Sequence, residues 1–151
     1  MKEEIQKAID VVLSFANVMN DWETRRFYRS RVDTGYEFTF EHDKELAGEL
    51  SAEELDQEYL HHFQNYCTSK NRKYSAFPSS YCAGGKYAGI SEKTIRRVEE
   101  VKPNRIEIVC TGGDFPEQQY KFILFKKSNV WLIDNAYIRF RDEDEWIKHH
   151  L

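Results

Sequence analysis

Apolar residues recur at spacings of three and four from Ile5 to Trp22, with charged and polar side chains at most of the positions between them. This period places the apolar side chains on one face of an α-helix, which is stabilised mainly by packing that face against a core. Arg25, Arg26 and Arg29 then follow near the expected helix end, where cations complement the helix dipole. The apolar stripe consists of Ile5, Ala8, Ile9, Val12, Phe15, Ala16, Met19 and Trp22.

A second helix is predicted to begin after Ser51, because Ser51 and Glu54 have the spacing of a capping box. The apolar residues that follow again keep a helical period. Between the two helices, residues 37–40 alternate like a short strand, and residues 44–50 suit one or two helical turns. The inner stripe of the second helix consists of Leu55, Tyr59, His62, Phe63 and Tyr66.

The last third of the chain changes to the two-residue alternation of β-strands. In the longest segment, this alternation places Leu132, Asp134 and Ala136 on the same face. Short turns such as Ser128-Asn129 separate the segments, which predicts an antiparallel meander of consecutive strands. The predicted strands are residues 95–101, 105–111, 119–127 and 130–140.

Helices followed by a run of strands indicate an α+β fold. We expect one domain over residues 1–151, with the N-terminal helices packed on a curved antiparallel sheet to form a cone-like body. Residues 68–91 lack periodicity and are predicted to form a long connection. Aromatic residues within this connection, including Tyr87, indicate that it packs against the body of the protein.

Composition excludes several classes of protein. Hydrophobic residues make up 40% and aromatic residues 15% of the chain, which rules out a disordered or low-complexity protein. No apolar run approaches the roughly 18 residues of a membrane span, and the acidic, amphipathic N-terminus does not suit a secretory signal. Three cysteines without a C-x-x-C pair argue against a zinc site and favour a reducing compartment, so we expect a cytoplasmic protein. We also expect no cofactor, no metal site and no membrane partner.

The net charge of −4 conceals a concentrated acidic block. Residues 33–60 carry Lys44 as their only basic side chain against ten acidic ones. Such a block argues against nucleic acid as a partner of this surface and favours a basic partner, although a solvated face is the simpler interpretation. The acidic residues are Asp33, Glu37, Glu41, Asp43, Glu45, Glu49, Glu53, Glu54, Asp56 and Glu58.

The C-terminal segment KFILFKKSNVWLIDNAYIRFRDEDEWIKHHL, residues 121–151, resembles the end of the nuclear transport factor 2-like fold. Trp131-Leu-Ile-Asp134 is similar to the W-x-I-D segment that is typical of the last long strands there. The order of helices, long connection and strands resembles, more specifically, the immunity proteins of bacterial polymorphic toxin systems. This resemblance implies a protein that binds one cognate toxin and blocks it without chemistry of its own, and it transfers no catalytic residue.

We expect the acidic block to form the surface that binds this toxin. A toxin that attacks nucleic acid would present a basic cleft, and acidic side chains would speed its association with the inhibitor. Aromatic residues at the edge of the block are candidate anchors. The candidate partner-binding residues are Glu41, Asp43, Glu45, Glu49, Glu53, Asp56, Tyr36 and Tyr59.

Two alternatives remain open at this point. A small dehydratase or isomerase of the same fold would use Asp134 as a pocket base, with His62 or a tyrosine as its partner. The simpler interpretation places Asp134 at a strand bulge or bend and His62 at the edge of the core. The second alternative is a dimeric scaffold that binds a small ligand, and the chain is accordingly expected to be a monomer or a homodimer.

Overall fold

The computed structural model describes residues 2–34, 41–70, 87–112, 118–140, 145–149 and 151. Helices come first and strands follow, so the predicted α+β fold is confirmed. The helices are α1 (Lys2–Asp33), α2 (Glu41–Ala47) and α3 (Ala52–Tyr66), and a 3₁₀ turn spans Glu92–Thr94. The strands are β1 (Ile95–Lys102), β2 (Arg105–Thr111), β3 (Gln118–Lys127), β4 (Val130–Phe140) and β5 (Ile147–His149).

Helix α1 buries the stripe that its sequence predicts. Ala8, Val12, Phe15 and Trp22 are completely buried, and the helix continues past the stripe to Asp33. Trp22 packs against Tyr59 of α3 with the ring centroids 4.5 Å apart, and its indole N–H donates to the carbonyl oxygen of Leu55. The two long helices are therefore joined by both apolar and polar contacts.

Glu4 connects the first turn of α1 to the sheet. Its carboxylate oxygen Oε2 lies 2.9 Å from Lys126 Nζ and accepts a 2.7 Å hydrogen bond from Trp131 Nε1. The hydrogen bonds from Lys126 and from Trp131 lower the pKa of Glu4 to about 2, against the smaller opposing effect of desolvation. This end of the helix is thus held to the β3–β4 hairpin.

The capping box at the start of α3 is confirmed. Glu54 N donates to Ser51 Oγ over 3.1 Å, and Ser51 N donates to Glu54 Oε1 over 3.2 Å. The helical turns expected within residues 44–50 are present as the end of α2, which stops before Gly48 with φ of 74°. The short strand expected at residues 37–40 lies outside the described residues.

The five strands form one antiparallel sheet in the order β1-β2-β3-β4-β5, which confirms the meander. Ser128 and Asn129 adopt φ of 50° and 64°, as the two central residues of a tight hairpin turn require. Strand β5 is an addition to the four predicted strands and places Ile147 beside Ile138 of β4. Its three residues are too few for alternation to reveal it.

A β-bulge at Asp134 makes the predicted facing of β4 wrong. Ile123 of β3 pairs with Asn135, but its neighbour Leu124 pairs with Ile133, so β4 has one extra residue at this point. The extra residue changes the phase of the alternation. The face of β4 that packs on the core is therefore formed by Trp131 and Ile133 before the bulge and by Ala136 and Ile138 after it.

The core lies between the helices and one face of the sheet, and it is rich in aromatic side chains. Tyr87, near the end of the long connection, is completely buried, and its ring centroid lies 5.8 Å from that of Phe15 and 5.9 Å from that of Phe122. The expectation that this aromatic residue packs against the body is confirmed. In the described part of the chain, no helix combines the length and the apolar character that a membrane crossing needs.

Candidate docking surface

Arginines from the second half of α1 approach the acidic block and neutralise part of it. Arg25 makes a two-point contact with Glu58 on α3, with Nη1 3.0 Å from Oε1. Arg26 directly follows Arg25, and its Nε donates to Asp56 Oδ1 over 3.0 Å. These cations carry the basic charge that the sequence places just before the acidic block, and the fold brings the two together.

The Arg25–Glu58 contact is partly enclosed, with about a quarter of each side chain exposed (22% and 24%). Desolvation raises the pKa of Glu58, but the hydrogen bond and charge of Arg25 outweigh it and hold that pKa below its usual value. Burial lowers the pKa of Arg25, but the carboxylates of Glu58 and Asp21 together raise it above its usual value. Each partner therefore stabilises the charged form of the other.

Three of the candidate partner-binding residues lie inside the protein or between its helices. Asp43 is 6% exposed, with Oδ2 3.7 Å from Arg31 Nε, and Asp56 is held by Arg26. Tyr59 is completely buried, with its hydroxyl 3.4 Å from the carbonyl oxygen of Leu151. These side chains stabilise the packing of α1, α2 and α3 and present little surface to a partner.

The remaining candidates divide between the surface and the undescribed part. Glu45, Glu49 and Glu53 are exposed, and none of them makes an ion pair within 4 Å to a described residue. Glu41 begins α2, but its side chain lies outside the described part of the chain, as does Tyr36. The acidic block thus separates into inner carboxylates that bind arginine and outer carboxylates that face water.

The outer face of α3 continues this exposed acidic region. Gln57, Leu60 and Gln64 follow one another at helical spacing on the side opposite the buried Leu55 and Tyr59. Leu60 is 39% exposed and contributes to two shallow clefts of about 620 and 460 Å³, one on each side of it. This face has the concave, partly apolar form that suits contact with another molecule.

Asp134, the candidate catalytic base, occupies the bulge of β4. It accepts a 2.7 Å hydrogen bond from Thr68 Oγ1, and its Oδ2 lies 3.4 Å from Lys70 Nζ. The backbone beside it also joins the segment after α3, because Thr68 N donates to the carbonyl oxygen of Ile133. Asp134 therefore lies at a strand bulge, as the simpler interpretation expects, and it also connects the end of α3 to the sheet.

His62, the proposed partner of Asp134, contacts a different carboxylate. Its Nε2 lies 3.2 Å from Glu58 Oε2, which extends the Arg25–Glu58 contact along α3. His61 is exposed, while the side chain of His62 is 14% exposed at the edge of the core. Among the described residues, no group of three or more His, Cys, Asp and Glu side chains is placed to hold a metal ion.

Glu23, which is not among the predicted site residues, is a carboxyl group buried in the interior. Glu23 is 4% exposed, and it lies on the face of α1 that packs on the core, directly after Trp22. Burial raises the pKa of Tyr120 to about 12, and the neighbouring Cys110 and Glu23 add to this effect. The helical spacing could have predicted this burial, because Met19 belongs to the apolar stripe and Glu23 lies four residues after it.

Comparison with known protein families agrees with the fold and with the earlier resemblance. Residues 7–150 match the family described as NTF2 fold immunity protein. No curated protein and no solved structure matches the chain. Because the family match covers almost the whole chain, the protein belongs to the immunity proteins of the NTF2 fold.

Proposed function

We propose that this protein binds a cognate toxin domain and neutralises it by covering its active surface. In this proposal it works in the cytoplasm as one domain over residues 1–151, as a monomer or a homodimer, with no cofactor and no reaction of its own. The observation that carries the proposal is membership of the immunity family over residues 7–150. An immunity role requires a partner, and physical occlusion requires only a complementary surface.

The contacts of the two candidate acid–base residues support binding over catalysis. His62 lies against Glu58, and Asp134 lies against Thr68 and Lys70, so each takes part in contacts that hold elements of the fold together. A general base must reach the proton that it removes from a substrate. Side chains used in this way are better explained by stability than by an acid–base reaction.

The docking surface in this proposal is the outer part of the acidic block. Glu41, Glu45, Glu49 and Glu53 form it, and Tyr36 is the candidate aromatic anchor at its edge. Exposed carboxylates steer a basic partner toward the surface and give specificity through charge complementarity. Asp43, Asp56 and Tyr59 belong to the packing beneath this surface, and we assign them no direct contact with the toxin.

The test uses the toxin domain encoded beside this chain, identified from the neighbouring reading frame. Co-expression is expected to restore growth of cells that carry the toxin, and the purified pair is expected to form a complex. Replacing Glu45, Glu49 and Glu53 together by Lys is expected to slow association about tenfold at low salt and to weaken its salt dependence.

A matched control separates this local effect from a change in net charge. Glu92, Glu99 and Glu145 are also exposed but lie outside the acidic block, and their replacement by Lys changes the net charge equally. The control variant is expected to keep most of the association rate. Equal rates for the two triple variants would remove the acidic block from the docking surface, and failure of the unmodified protein to protect cells would refute the proposed function.

A further inference from the structure

The outer face of α3 differs from the rest of the helical surface in having an exposed apolar residue at its centre. The inner face of α3, with Leu55, Tyr59 and Phe63, packs toward α1 and β4. The outer face presents Leu60 between Gln57 and Gln64, one turn away on each side. An exposed leucine alone is ordinary, so its surroundings decide whether this face is a docking surface.

Leu60 lies between two shallow, open depressions of the surface. One cleft, of about 620 Å³, extends toward Leu50 and Glu54, and the other, of about 460 Å³, extends toward Cys67 and Lys70. Leu60 and Gln64 line both clefts and form the ridge between them. A ridge between two depressions offers a partner apolar contact at the centre and amide groups for hydrogen bonds around it.

The carboxylates that α3 contributes beside this ridge are Glu54 and Glu58, and Glu58 is paired with Arg25. From Glu45 to Ser69 the chain contains no lysine and no arginine. The nearest cation at the far end, Lys70, is held by Asp134 and by a 2.8 Å hydrogen bond to Asn135 Oδ1. An apolar centre with an acidic and amide rim is complementary to a protein surface with an apolar side chain surrounded by lysine or arginine.

We infer that the outer face of α3 is the centre of the toxin-binding surface, with Leu60 as its apolar anchor. This inference rests on the proposed function and extends the docking surface from the acidic block along α3 to Gln64. The toxin surface that occupies it carries an apolar side chain that packs on Leu60, with cationic side chains around it. Charged and apolar contacts then act together, which is the arrangement found at energetically dominant interface sites.

The test is the substitution Leu60→Lys, measured by calorimetric titration with the same toxin domain. Lysine favours helix, so α3 is expected to keep its structure and the thermal midpoint is expected to stay close to that of the unmodified protein. A lysine head group at the centre of the interface would face other cations, and we expect affinity to fall at least about 30-fold. The matched control is Val130→Lys on β4, where a 52% exposed apolar residue is replaced, and we expect its affinity to stay within about twofold.

A second measurement locates the toxin without relying on a loss of binding. A photo-crosslinking side chain at Gln64 is expected to attach to the toxin, and the same side chain at Lys127, on the sheet, is not. Unchanged affinity of Leu60→Lys, or crosslinking from Lys127 and not from Gln64, would overturn the inference while leaving the proposed function in place. Absence of any complex with the unmodified protein would instead refute the proposed function.

Discussion

Two clusters of side chains, one between the helices and one on the sheet, hold their cations in different ways. On the helical side, formed by α1, α2 and α3, Arg25 is paired with the Glu58 carboxylate. On the open sheet face, which is the side of the sheet turned away from the helices, Lys121 and Arg139 lie 4.8 and 4.3 Å from the centroid of the Trp146 ring. A carboxylate cancels the charge of its arginine, whereas an aromatic ring attracts a cation without changing the net charge.

This difference explains how a chain with a net charge of −4 presents two unlike surfaces. On the helical side, inner carboxylates neutralise Arg25 and Arg26. The exposed carboxylates, such as Glu45 and Glu53, therefore make this surface negative. On the open sheet face the positive charge of Lys121 and Arg139 is kept. Counting charges along the sequence therefore predicts the partner of a surface less well than knowing which charges are cancelled within the fold.

The largest expected difference between the two sides is in how much stability is lost when a tryptophan is removed from each. Trp22→Ala removes a completely buried ring from the contact with Tyr59, and we expect a loss of about 3–5 kcal/mol in the free energy of unfolding. Trp146→Ala removes a half-buried ring that two cations contact, and we expect a loss of about 1 kcal/mol. Urea denaturation at neutral pH measures both values.

The variant Trp22→Phe serves as the control for this comparison. It keeps an aromatic ring in the core but loses the N–H that donates to the carbonyl oxygen of Leu55, so its stability is expected to lie between those of the unmodified protein and Trp22→Ala. Equal losses for Trp22→Ala and Trp146→Ala would mean that the Trp146 cluster on the open sheet face stabilises the protein as much as the buried Trp22 does.

A smaller difference is expected for the arginines. Arg25→Ala leaves Glu58 without its main cation in a partly enclosed position, and we expect a loss of about 1–2 kcal/mol, moderated because both side chains remain partly in water. Arg139→Ala removes a contact with Trp146 and a 2.7 Å hydrogen bond to Gln119, and we expect about 1 kcal/mol or less.

The double variant Arg25→Ala with Glu58→Gln distinguishes a lost attraction from a stranded charge. If the cost of Arg25→Ala comes from leaving an enclosed carboxylate unpaired, neutralising Glu58 in the same molecule is expected to recover part of the stability. Additive losses measured by chemical denaturation would contradict this explanation. The corresponding double variant Arg139→Ala with Trp146→Ala is expected to cost little more than either change alone.

Local patterns were enough to predict most elements of the fold. The apolar period of α1, the capping box of Ser51 and Glu54, and the tight turn at Ser128 each depend on residues that are close in sequence. Their outcome is set by short-range sterics and hydrogen bonds, which a single sequence displays directly. The resemblance of residues 121–151 to the nuclear transport factor 2-like fold added the family, which the match over residues 7–150 supports.

The features that the sequence did not reveal depend on contacts between distant segments. The bulge at Asp134 is defined by the pairing of β4 with β3, so strict alternation placed Leu132 on the wrong face. The division of the acidic block depends on which carboxylates α1 reaches, and the sequence does not distinguish the paired Asp56 from the exposed Glu53. Charge counting therefore found the acidic region but not the part of it that remains available.

The smallest expected difference between the two sides is their response to acid. Glu58 has a pKa below its usual value because of Arg25, and Glu4 has a pKa of about 2 because of Lys126 and Trp131. Carboxylates with a lowered pKa in the folded state contribute stability at neutral pH, and that contribution is lost as the pH falls from the unfolded value toward the folded one. The contacts of Lys121 and Arg139 with the Trp146 ring involve no carboxylate.

We therefore expect acid to weaken the helical side while leaving the contacts around Trp146 intact. Stability measured by urea denaturation is expected to fall between about pH 5 and pH 2, and Glu58→Gln is expected to flatten this dependence. Trp146→Phe is expected to leave the slope unchanged, because neither ring carries a carboxylate. If Glu58→Gln does not reduce the slope of stability against pH, the Arg25–Glu58 contact contributes no net stability. The difference between paired and unpaired cations would then affect only the charge of the surface.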